Sequence, residues 1–550
     1  MKVLLAAVNA KYIHSNLGVY SLKAYGESRV PGLTVEIGEY TINHRMDLVL
    51  QDIYLKKPEF LGFSCYIWNI SQVEELAEDL SKLLPGVRIW LGGPEASYRA
   101  EELLRAHPWA EGVMAGEGEE TFACLMRAME RGEDLSGVDG ILYRNSQGEL
   151  VRTPPRAPMC MDEIPFAYGD LKGFENRIIY YESSRGCPFS CSYCLSSIDK
   201  SVRFRSLELV RRELDFFLEK KVPQVKFVDR TFNCRKSHTM AVWSHILDHD
   251  NGVTNFHFEI SADLLDEEEI RLLNRMRPGL VQLEIGVQST NPETIREIRR
   301  KMDLERLEAA VDAVRRGNNV HQHLDLIAGL PWEDYGSFAR SFDRVYGMKP
   351  DQLQLGFLKV LRGSYMAEAA GEYGLIARSC PPYEVLSTRW LPYEDVIRLK
   401  GIEEMVEVYY NSRQFTETLG VLAEEWGSPF ALFESLARYY GEKGLLGISH
   451  SRLARYEILY RFLGEAGLDL EKYRDLLMVD LYLRENAKSR PSFAPDPGSF
   501  KGRLREIPEL RGRGKMVHGE ILGDGRILLF DYEKRDPLTG NAAVKEISAE

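Results

Sequence analysis

The sequence predicts an α/β protein built from a doubly wound parallel sheet, a partial (β/α)6 barrel and a mainly helical C-terminal region. Short apolar runs alternate with helical patterns from residue 1 to about 145, and a second series of the same kind fills residues 177–375. From residue 376 to 550 helical periodicity dominates. A chain of 550 residues is long enough for about three domains.

Composition and charge exclude several classes of function. The chain is 44% hydrophobic and 28% charged, which is ordinary for a soluble globular protein. Its net charge of −13 makes nucleic acid an unfavourable partner. No apolar run reaches the roughly 20 residues that span a bilayer, and the N-terminal run lacks a cleavage site, so we expect neither a membrane partner nor a signal peptide. Eight cysteines are too few for a disulfide framework, which favours the cytoplasm.

The first unit is predicted to place loops at one edge of its sheet. Its strands are predicted at residues 3–8, 33–40, 60–64, 87–91 and 112–115. Ligands of doubly wound sheets sit beyond the carboxyl ends of the strands. Residues 9–16, 65–69, 92–95 and 116–121 therefore form the predicted binding edge.

The second unit is predicted to be an open barrel. A connector at residues 146–176 is extended by Pro154, Pro155, Pro158 and Pro165. Strands are then predicted at residues 178–182, 225–228, 256–260, 280–285, 323–327 and 352–357, with helical patterns between them. Six βα repeats are too few for a closed eight-stranded barrel, so the unit is predicted to be partial.

Three cysteines directly follow the first strand of this unit. Cys187, Cys191 and Cys194 have C-x3-C-x2-C spacing. Three thiolates at this spacing can hold three irons of a [4Fe–4S] cluster and leave the fourth iron open, which indicates chemistry rather than electron transfer alone. Zinc is the structural alternative, but it prefers four ligands in paired groups and no second pair follows.

With Tyr193 before the last cysteine, residues 178–375 resemble a radical S-adenosylmethionine (SAM) domain. The resemblance implies that the open iron binds the amino and carboxylate groups of SAM. It also implies that the reduced cluster cleaves SAM to methionine and a 5′-deoxyadenosyl radical. A flavodoxin- or ferredoxin-type protein is the implied electron donor.

The resemblance also suggests which residues lie near SAM. They are Tyr193, Asp229, Asn233, Glu259, Glu284, Gln288, Ser289 and Gly329. A carboxylate such as that of Glu284 can accept hydrogen bonds from both ribose hydroxyls, and Gly329 resembles the glycine beside the adenine. For each of them the alternative is a strand-end residue that serves only the fold.

The first unit resembles the Rossmann-like cobalamin-binding domain of B12-dependent radical SAM enzymes. The matching residues are Gly92-Gly93-Pro94-Glu95 and Gly116-Glu117-Gly118, whose loops would take the nucleotide tail of the corrinoid. His14, Asn16, Tyr66, Trp68 and Asn69 are the candidates near the corrin ring. The D-x-H-x-x-G motif that supplies a cobalt ligand in some relatives is absent, so His14 is expected at the corrin side chains. The alternative is a Rossmann-like domain without a ligand.

Together these features predict a cobalamin-dependent radical SAM enzyme that acts on a small molecule or modified metabolite, most simply by C-methylation. Radical rearrangement or ring formation without methyl transfer is an alternative. A methylthiotransferase would need a second cluster, and Cys65, Cys124 and Cys160 do not match its cysteine contexts. A corrinoid or SAM sensor is the non-enzymatic alternative. Residues 376–550 contain no motif that indicates chemistry.

Overall fold

The computed structural model describes residues 1–496, 498, 501–510 and 516–547. Its N-terminal part is a seven-stranded sheet of order β2-β1-β3-β4-β5-β6-β7. The strands are β1 (Val3–Asn9), β2 (Val35–Thr41), β3 (Phe60–Ser64), β4 (Arg88–Gly92), β5 (Ala110–Met114), β6 (Ile141–Arg144) and β7 (Leu150–Arg152). The first five strands run parallel, as predicted, and β6 and β7 add an antiparallel edge. These two strands have only four and three residues, too few for a clear pattern in the sequence.

Helices cover both faces of this sheet. They are α1 (Leu17–Arg29), α2 (Met46–Lys56), α3 (Ile70–Leu83), α4 (Pro94–Tyr98), α5 (Ala100–Ala106) and α6 (Glu119–Arg131). Along β1, Leu4 and Ala6 pack in the core under α2 and α3, whereas Val3 and Leu5 pack in the core under α1 and α6. A strand buried on both faces reads as a continuous apolar run, and this explains the sequence of β1.

The second sheet is a six-stranded, all-parallel partial barrel. Its strands are β8 (Ile179–Tyr181), β11 (Gln224–Phe227), β12 (Asn255–Ile260), β13 (Val281–Gln288), β14 (His321–Ala328) and β15 (Gln352–Phe357), and a small pair, β9 (Ser184–Arg185) and β10 (Arg203–Phe204), lies beside it. The helices between the strands are α7 (Leu207–Glu219), α8 (Lys236–Asp248), α9 (Glu267–Leu273), α10 (Pro292–Glu297), α11 (Leu304–Arg315) and α12 (Tyr335–Gly347). β8 and β15 are the two edges, so the barrel is open as predicted.

The C-terminal region is mainly helical and ends in a small antiparallel sheet. It contains α13 (Tyr365–Glu368), β16 (Ile376–Ala377), β17 (Val385–Ser387), α14 (Tyr393–Met405), a π-helix (Val406–Asn411), α15 (Thr416–Trp426), α16 (Pro429–Glu442), α17 (Arg452–Glu465), α18 (Leu470–Arg484), α19 (Lys501–Glu506), β18 (Val517–Ile521), β19 (Ile527–Arg535) and β20 (Ala542–Ile547). One apolar core runs from the barrel into these helices. Among the described helices, none combines the length and apolarity that crossing a membrane requires.

Candidate active site

The three motif cysteines lie on the loop that follows β8, at the carboxyl end of the barrel. Cys187 and Cys191 are buried, Cys194 is half-buried, and all three are free thiols. Gly186 has a φ of +87°, and a Cβ at this position would lie 2.6 Å from the Ser201 carbonyl oxygen. Only glycine fits there, because both the backbone angle and the space exclude a side chain.

The motif cysteines are not among the groups found close enough to bind one metal ion. Among the described residues, Asp215, His245 and His249 form the one set of three possible ligands whose atoms all lie within 4.8 Å of one another. Thiolates at C-x3-C-x2-C spacing can instead bind separate irons of a cluster, whereas zinc prefers four ligands in paired groups.

Arg300 lies against the cluster loop, although the sequence patterns did not indicate it. Its Nη1 is 3.8 Å from the Cys191 Sγ and 3.4 Å from the Tyr193 hydroxyl, and its Nη2 donates to the Gly286 carbonyl. The cation favours the thiolate form of Cys191, which is the form that binds iron. The Nε of Arg300 is buried and has no hydrogen-bond partner among the described residues.

A cavity of about 670 Å³ lies between the first sheet and the mouth of the barrel. Loops after β1, β3 and β5 line one side, and the ends of β8, β11 and β12 line the other. The predicted cofactor residues that line it are His14, Asn16, Tyr66, Trp68, Gly116, Glu117, Gly118 and Glu259. The structure thus brings residues predicted for a corrinoid and one predicted for SAM to one cavity of the size typical of ligand sites.

A narrower slot of about 150 Å³ shares Gly18, Tyr66, Gly116 and Gly118 with this cavity. The glycines that line it are Gly18, Gly62, Gly92, Gly93, Gly116 and Gly118. A Cβ at Gly62 would lie 2.8 Å from Leu5, and a Cβ at Gly118 would lie 2.9 Å from Leu22. The slot exists because side chains are missing along it. A wide mouth joined to a narrow glycine-lined slot fits a corrin ring with its nucleotide tail.

Tyr66 and Trp68 form a flat aromatic wall of the mouth. Their ring centroids are 4.3 Å apart and their planes differ by 9°. Trp68 is 40% exposed, and its Nε1 donates to the Val8 carbonyl at 3.2 Å. Such a wall offers an apolar plane against which a macrocycle can lie.

His14 is connected to the barrel. Its Nδ1 lies 2.6 Å from the hydroxyl of Tyr180 on β8. Burial, with the nearby charges of Lys11 and Lys226, lowers the pKa of His14, so the imidazole is neutral at pH 7. The contact between the His14 Nδ1 and the Tyr180 hydroxyl joins the first sheet to the barrel.

Three other predicted corrinoid residues bind the protein itself. Asn16 caps α1 and donates to the Ser64 hydroxyl at 3.3 Å. Asn69 donates to the carbonyls of Val8 and Ser64, both at 2.9 Å. Glu95, which follows Pro94 at the start of α4, accepts a hydrogen bond from the Tyr383 hydroxyl at 2.5 Å. Their side chains hold the binding loops in place.

Ion pairs join the glycine loop after β5 to the cluster loop. Arg185, two residues before Cys187, pairs with Glu119, with Glu117 at 3.4 Å and with Glu182 at 2.9 Å. Glu117 also accepts a hydrogen bond from Arg203 at 3.1 Å. Glu117 thus serves the contact between the two units, a role that no single motif indicates.

Asp229 and Asn233 are inside the protein, behind the cluster loop. Asp229 accepts from the Ser183 N–H at 2.9 Å, the Ser183 hydroxyl at 2.7 Å and the Ser184 hydroxyl at 2.6 Å. Burial nevertheless raises the pKa of Asp229 to about 6. The Asn233 amide pairs with both backbone groups of Ser261. Both side chains fix strand ends around the site.

Glu284 lies inside the barrel, in the middle of β13, and it is already paired. Its Oε2 is 2.8 Å from the Lys226 Nζ and 3.0 Å from the His257 Nε2. Burial alone would raise the pKa of Glu284, but His257 and Lys226 outweigh it and hold the pKa well below its usual range. Glu259 is 3.9 Å from the same ammonium, and its pKa is raised by burial and by Glu284. Of the two carboxylates, Glu259 is the one at the cavity wall.

Gln288 and Ser289 end β13 at the rim of the barrel. Gln288 has a φ of +71°, and its buried Oε1 has no hydrogen-bond partner among the described residues. The Ser289 hydroxyl donates to Glu333 at 2.7 Å. Gly329, with a φ of +86°, packs so closely that an added Cβ would lie 2.7 Å from Val385. Gln288 is therefore the residue of this group whose side chain is free for a ligand.

Glu333 gives a prediction about pH dependence. Burial raises its pKa to about 7, and its Oε2 has no hydrogen-bond partner among the described residues. An acid with a raised pKa in the folded state costs stability as pH rises from about 4.5 to 7. We expect Glu333→Gln to raise the free energy of unfolding by about 1–3 kcal/mol relative to the wild type at pH 8, and hardly at all at pH 5. Thermal melting at both pH values checks this, with the exposed Glu293→Gln as control. A difference between variant and wild type that is the same at both pH values would contradict it.

Family models match three parts of the chain. Residues 3–126 match the B12 binding domain, residues 181–345 match the radical SAM superfamily, and residues 371–516 match a protein family of unknown function, DUF4080. The first match contains the glycine slot and the second contains the cluster loop. The family matches thus include the two regions that the sequence predicted for cobalamin and for a [4Fe–4S] cluster with SAM.

Curated relatives match about half of the chain. The chain is 24% identical over 306 residues to the cobalamin-dependent radical SAM methyltransferase TokK of Streptomyces tokunonensis, which is 51% of this chain and 44% of that protein. It is 22% identical over 318 residues to the anaerobic magnesium-protoporphyrin IX monomethyl ester cyclase of Rubrivivax gelatinosus, which is 56% of this chain and 57% of that protein. The chain spans about half the length of the curated relatives it matches.

A solved structure has a similar fold over most of the chain. The cobalamin-dependent S-adenosylmethionine radical enzyme OxsB, solved with aqua-cobalamin and S-adenosylmethionine bound, aligns with a TM-score of 0.62 and 15% identity. The alignment covers 93% of this chain and 81% of that chain. The likeness shows a shared fold, and the family matches show that this chain combines an N-terminal B12-binding domain, a radical SAM domain and a C-terminal domain of the DUF4080 family.

Proposed function

We propose that this enzyme uses cobalamin, a [4Fe–4S] cluster and SAM to methylate an unactivated carbon of a small molecule. One observation carries the proposal: a single cavity is walled by the glycine loops of the B12-binding domain on one side and by the barrel strands beside the cluster loop on the other. When bound, the three cofactors supply reductive cleavage of SAM and a methyl group on cobalt. The relative TokK, named a methyltransferase, supports the methyl outcome.

The chain's own residues would hold these groups in order. Cys187, Cys191 and Cys194 would ligate the cluster, with the Arg300 guanidinium beside the Cys191 sulfur. The free Oε1 of Gln288 would accept a hydrogen bond from SAM. Among the remaining predicted SAM residues, Asp229, Asn233, Glu284, Ser289 and Gly329 would act by fixing the shape of the barrel end.

The mouth would position the corrin ring. The stacked pair of Tyr66 and Trp68 would lie along the ring, and His14, which is bound to Tyr180, would contact its side chains. The glycine slot, including Gly92, would take the nucleotide tail. Residues of both domains line the mouth, and with the cofactors bound they would limit the access of water to a reactive carbon centre.

Partners and location follow from this chemistry. A one-electron donor of the flavodoxin or ferredoxin type would reduce the cluster, and the substrate would be a small molecule or modified metabolite. All eight cysteines are free thiols, which agrees with the reducing conditions of the cytoplasm.

Ring formation without methyl transfer is the second candidate. The match to the Rubrivivax gelatinosus cyclase favours it, because that relative covers slightly more of this chain than TokK does. Both candidates need the same radical and the same two domains. They differ only in whether the product gains a methyl group.

Anaerobic purification with cobalamin tests the proposal. We expect about four irons and one cobalt per chain, and 5′-deoxyadenosine when SAM and a reductant are added. About eight irons without cobalt would instead indicate a methylthiotransferase, and no 5′-deoxyadenosine with any candidate substrate would favour a sensor. SAM with a labelled methyl group then separates the two candidates, because a C-methyltransferase transfers the label to its product and a cyclase does not.

A further inference from the structure

A second cavity lies far from the mouth, at the amino end of β15. It has a volume of about 450 Å³ and is lined by the end of α12, the π-helix, α15 and the turn between β19 and β20. The mouth and the cluster loop are at the carboxyl ends of the barrel strands, so this cavity is at the opposite end. Cavities of this size at the junction of domains are common ligand sites.

The lining is aromatic and apolar. Tyr346 and Tyr410 face each other with ring centroids 5.0 Å apart, and Leu419, Ala423 and Pro429 complete the walls. The Tyr410 hydroxyl donates to the Pro350 carbonyl at 2.5 Å, but the Tyr346 hydroxyl has no hydrogen-bond partner among the described residues. Burial raises the pKa of Tyr346 to about 12, so this hydroxyl remains a donor.

Unusual backbone conformations coincide at this cavity. Tyr409 and Tyr410 lie on the π-helix, a form that is rare and often marks functional sites. Lys349 and Arg413 have φ angles of +55° and +53°, which cost free energy for residues other than glycine. Arg413 is fixed there by a salt bridge to Asp351, directly before β15. The C-terminal domain and the barrel together maintain this strained wall.

Gly420 leaves one wall of the cavity without a side chain. It lies in the middle of α15 and lines the cavity, and a Cβ there would meet no atom within 4 Å. Glycine inside a helix is destabilising relative to alanine, because its backbone loses more conformational freedom on folding. The helix thus carries a destabilising residue at an exposed position in the lining of the cavity.

The polar groups define the ligand. The Tyr346 hydroxyl and the exposed Lys349 ammonium, which forms no ion pair within the described part of the chain, lie at the same end of α12. Glu424 lines the cavity from α15 and disfavours an anion on that wall. We propose that this cavity binds a small apolar acid, with its aromatic or branched body packed against the Tyr346–Tyr410 pair and its acidic head at Lys349. The site is independent of the proposed methylation.

An aromatic sulfonate dye, 8-anilinonaphthalene-1-sulfonate, serves as the probe. The protein is loaded with its cluster and cobalamin, so that the mouth is filled. We expect one dye site per chain by fluorescence titration. Gly420→Leu should weaken dye binding at least about tenfold, because the leucine side chain takes the apolar space of the dye. Gly336→Leu, a substitution at an exposed glycine of α12, should leave dye binding unchanged.

Lys349→Gln is a second, independent test of the proposed site. Lys349 is exposed, so the substitution does not endanger folding. We expect it to weaken binding several-fold in dilute buffer and less at high salt, where charge is screened. Dye affinity of Gly420→Leu equal to that of the wild type, or the absence of a dye site in the wild type, would overturn the proposal. Dye binding is measured without enzyme turnover. The result therefore tests the cavity even if the proposed methylation proves wrong.

Discussion

Replacing Cys191 with alanine should abolish SAM cleavage. With two of three thiolates left, the cluster loses one of its ligands, and the Arg300 guanidinium loses the anion it faces. We expect the iron content to fall sharply after anaerobic reconstitution and no 5′-deoxyadenosine to form. Cobalamin should still bind, because the glycine slot lies in the other domain.

The exposed Cys160 supplies the matched control. Cys160→Ala removes a thiol of the connector that lies outside the cluster loop, so its iron content and SAM cleavage should equal those of the wild type. SAM cleavage by the Cys191→Ala variant above the background of cluster-free protein would contradict the assignment of the cluster. Loss of cobalamin from that variant would instead indicate that the cluster loop supports the corrinoid site.

Local patterns explain why the architecture could be predicted. β1 is buried on both faces and gives a continuous apolar run, whereas a barrel strand such as β13 alternates buried apolar residues with partly buried polar ones. Both patterns stand out between helical segments. The cysteine motif and the glycine pairs at Gly92 and Gly116 are also local, and both follow strands directly. Residues at the carboxyl ends of parallel strands converge, and this placed the two predicted cofactor regions at one mouth.

Contacts between distant segments explain what the sequence did not indicate. Arg185 meets Glu119 only because the two domains dock, and Arg300 reaches Cys191 only because its loop folds over the cluster loop. That Glu284 lies near SAM remains a prediction, whereas its ion pair with Lys226, at 2.8 Å, is a contact that the sequence did not indicate. Side-chain direction inside a barrel depends on register, which a single sequence does not reveal.

The C-terminal region was predicted to be helical, but its cavity was not anticipated. The cavity is lined by α12, the π-helix, α15 and the turn between β19 and β20. These elements lie up to about two hundred residues apart in the sequence, so no short motif indicates the cavity. Both Tyr409 and Tyr410 line the cavity, and the Tyr409 hydroxyl is also 2.7 Å from that of Tyr440.

Gly92→Leu should remove cobalamin and leave the cluster intact. Gly92 lines the slot proposed for the nucleotide tail, and its backbone angles suit any residue. An added Cβ would be 3.6 Å from the nearest atom of Met114, an ordinary contact, so the leucine fits the fold and its remaining atoms fill the slot. We expect cobalt content to fall at least about tenfold, since the tail loses the space in which it is buried.

The outcome separates the two halves of the proposed function. Iron content and the small turnover of SAM that does not depend on substrate should stay at wild-type levels, because Cys187, Cys191 and Cys194 are untouched. Gly86→Leu, at an exposed glycine with no atom within 4 Å of its added Cβ, is the control and should retain cobalt. Wild-type cobalt content in Gly92→Leu would place the nucleotide tail elsewhere. Loss of both metals would mean that the corrinoid also stabilises the cluster loop, through the pairs that Arg185 forms with Glu117 and Glu119.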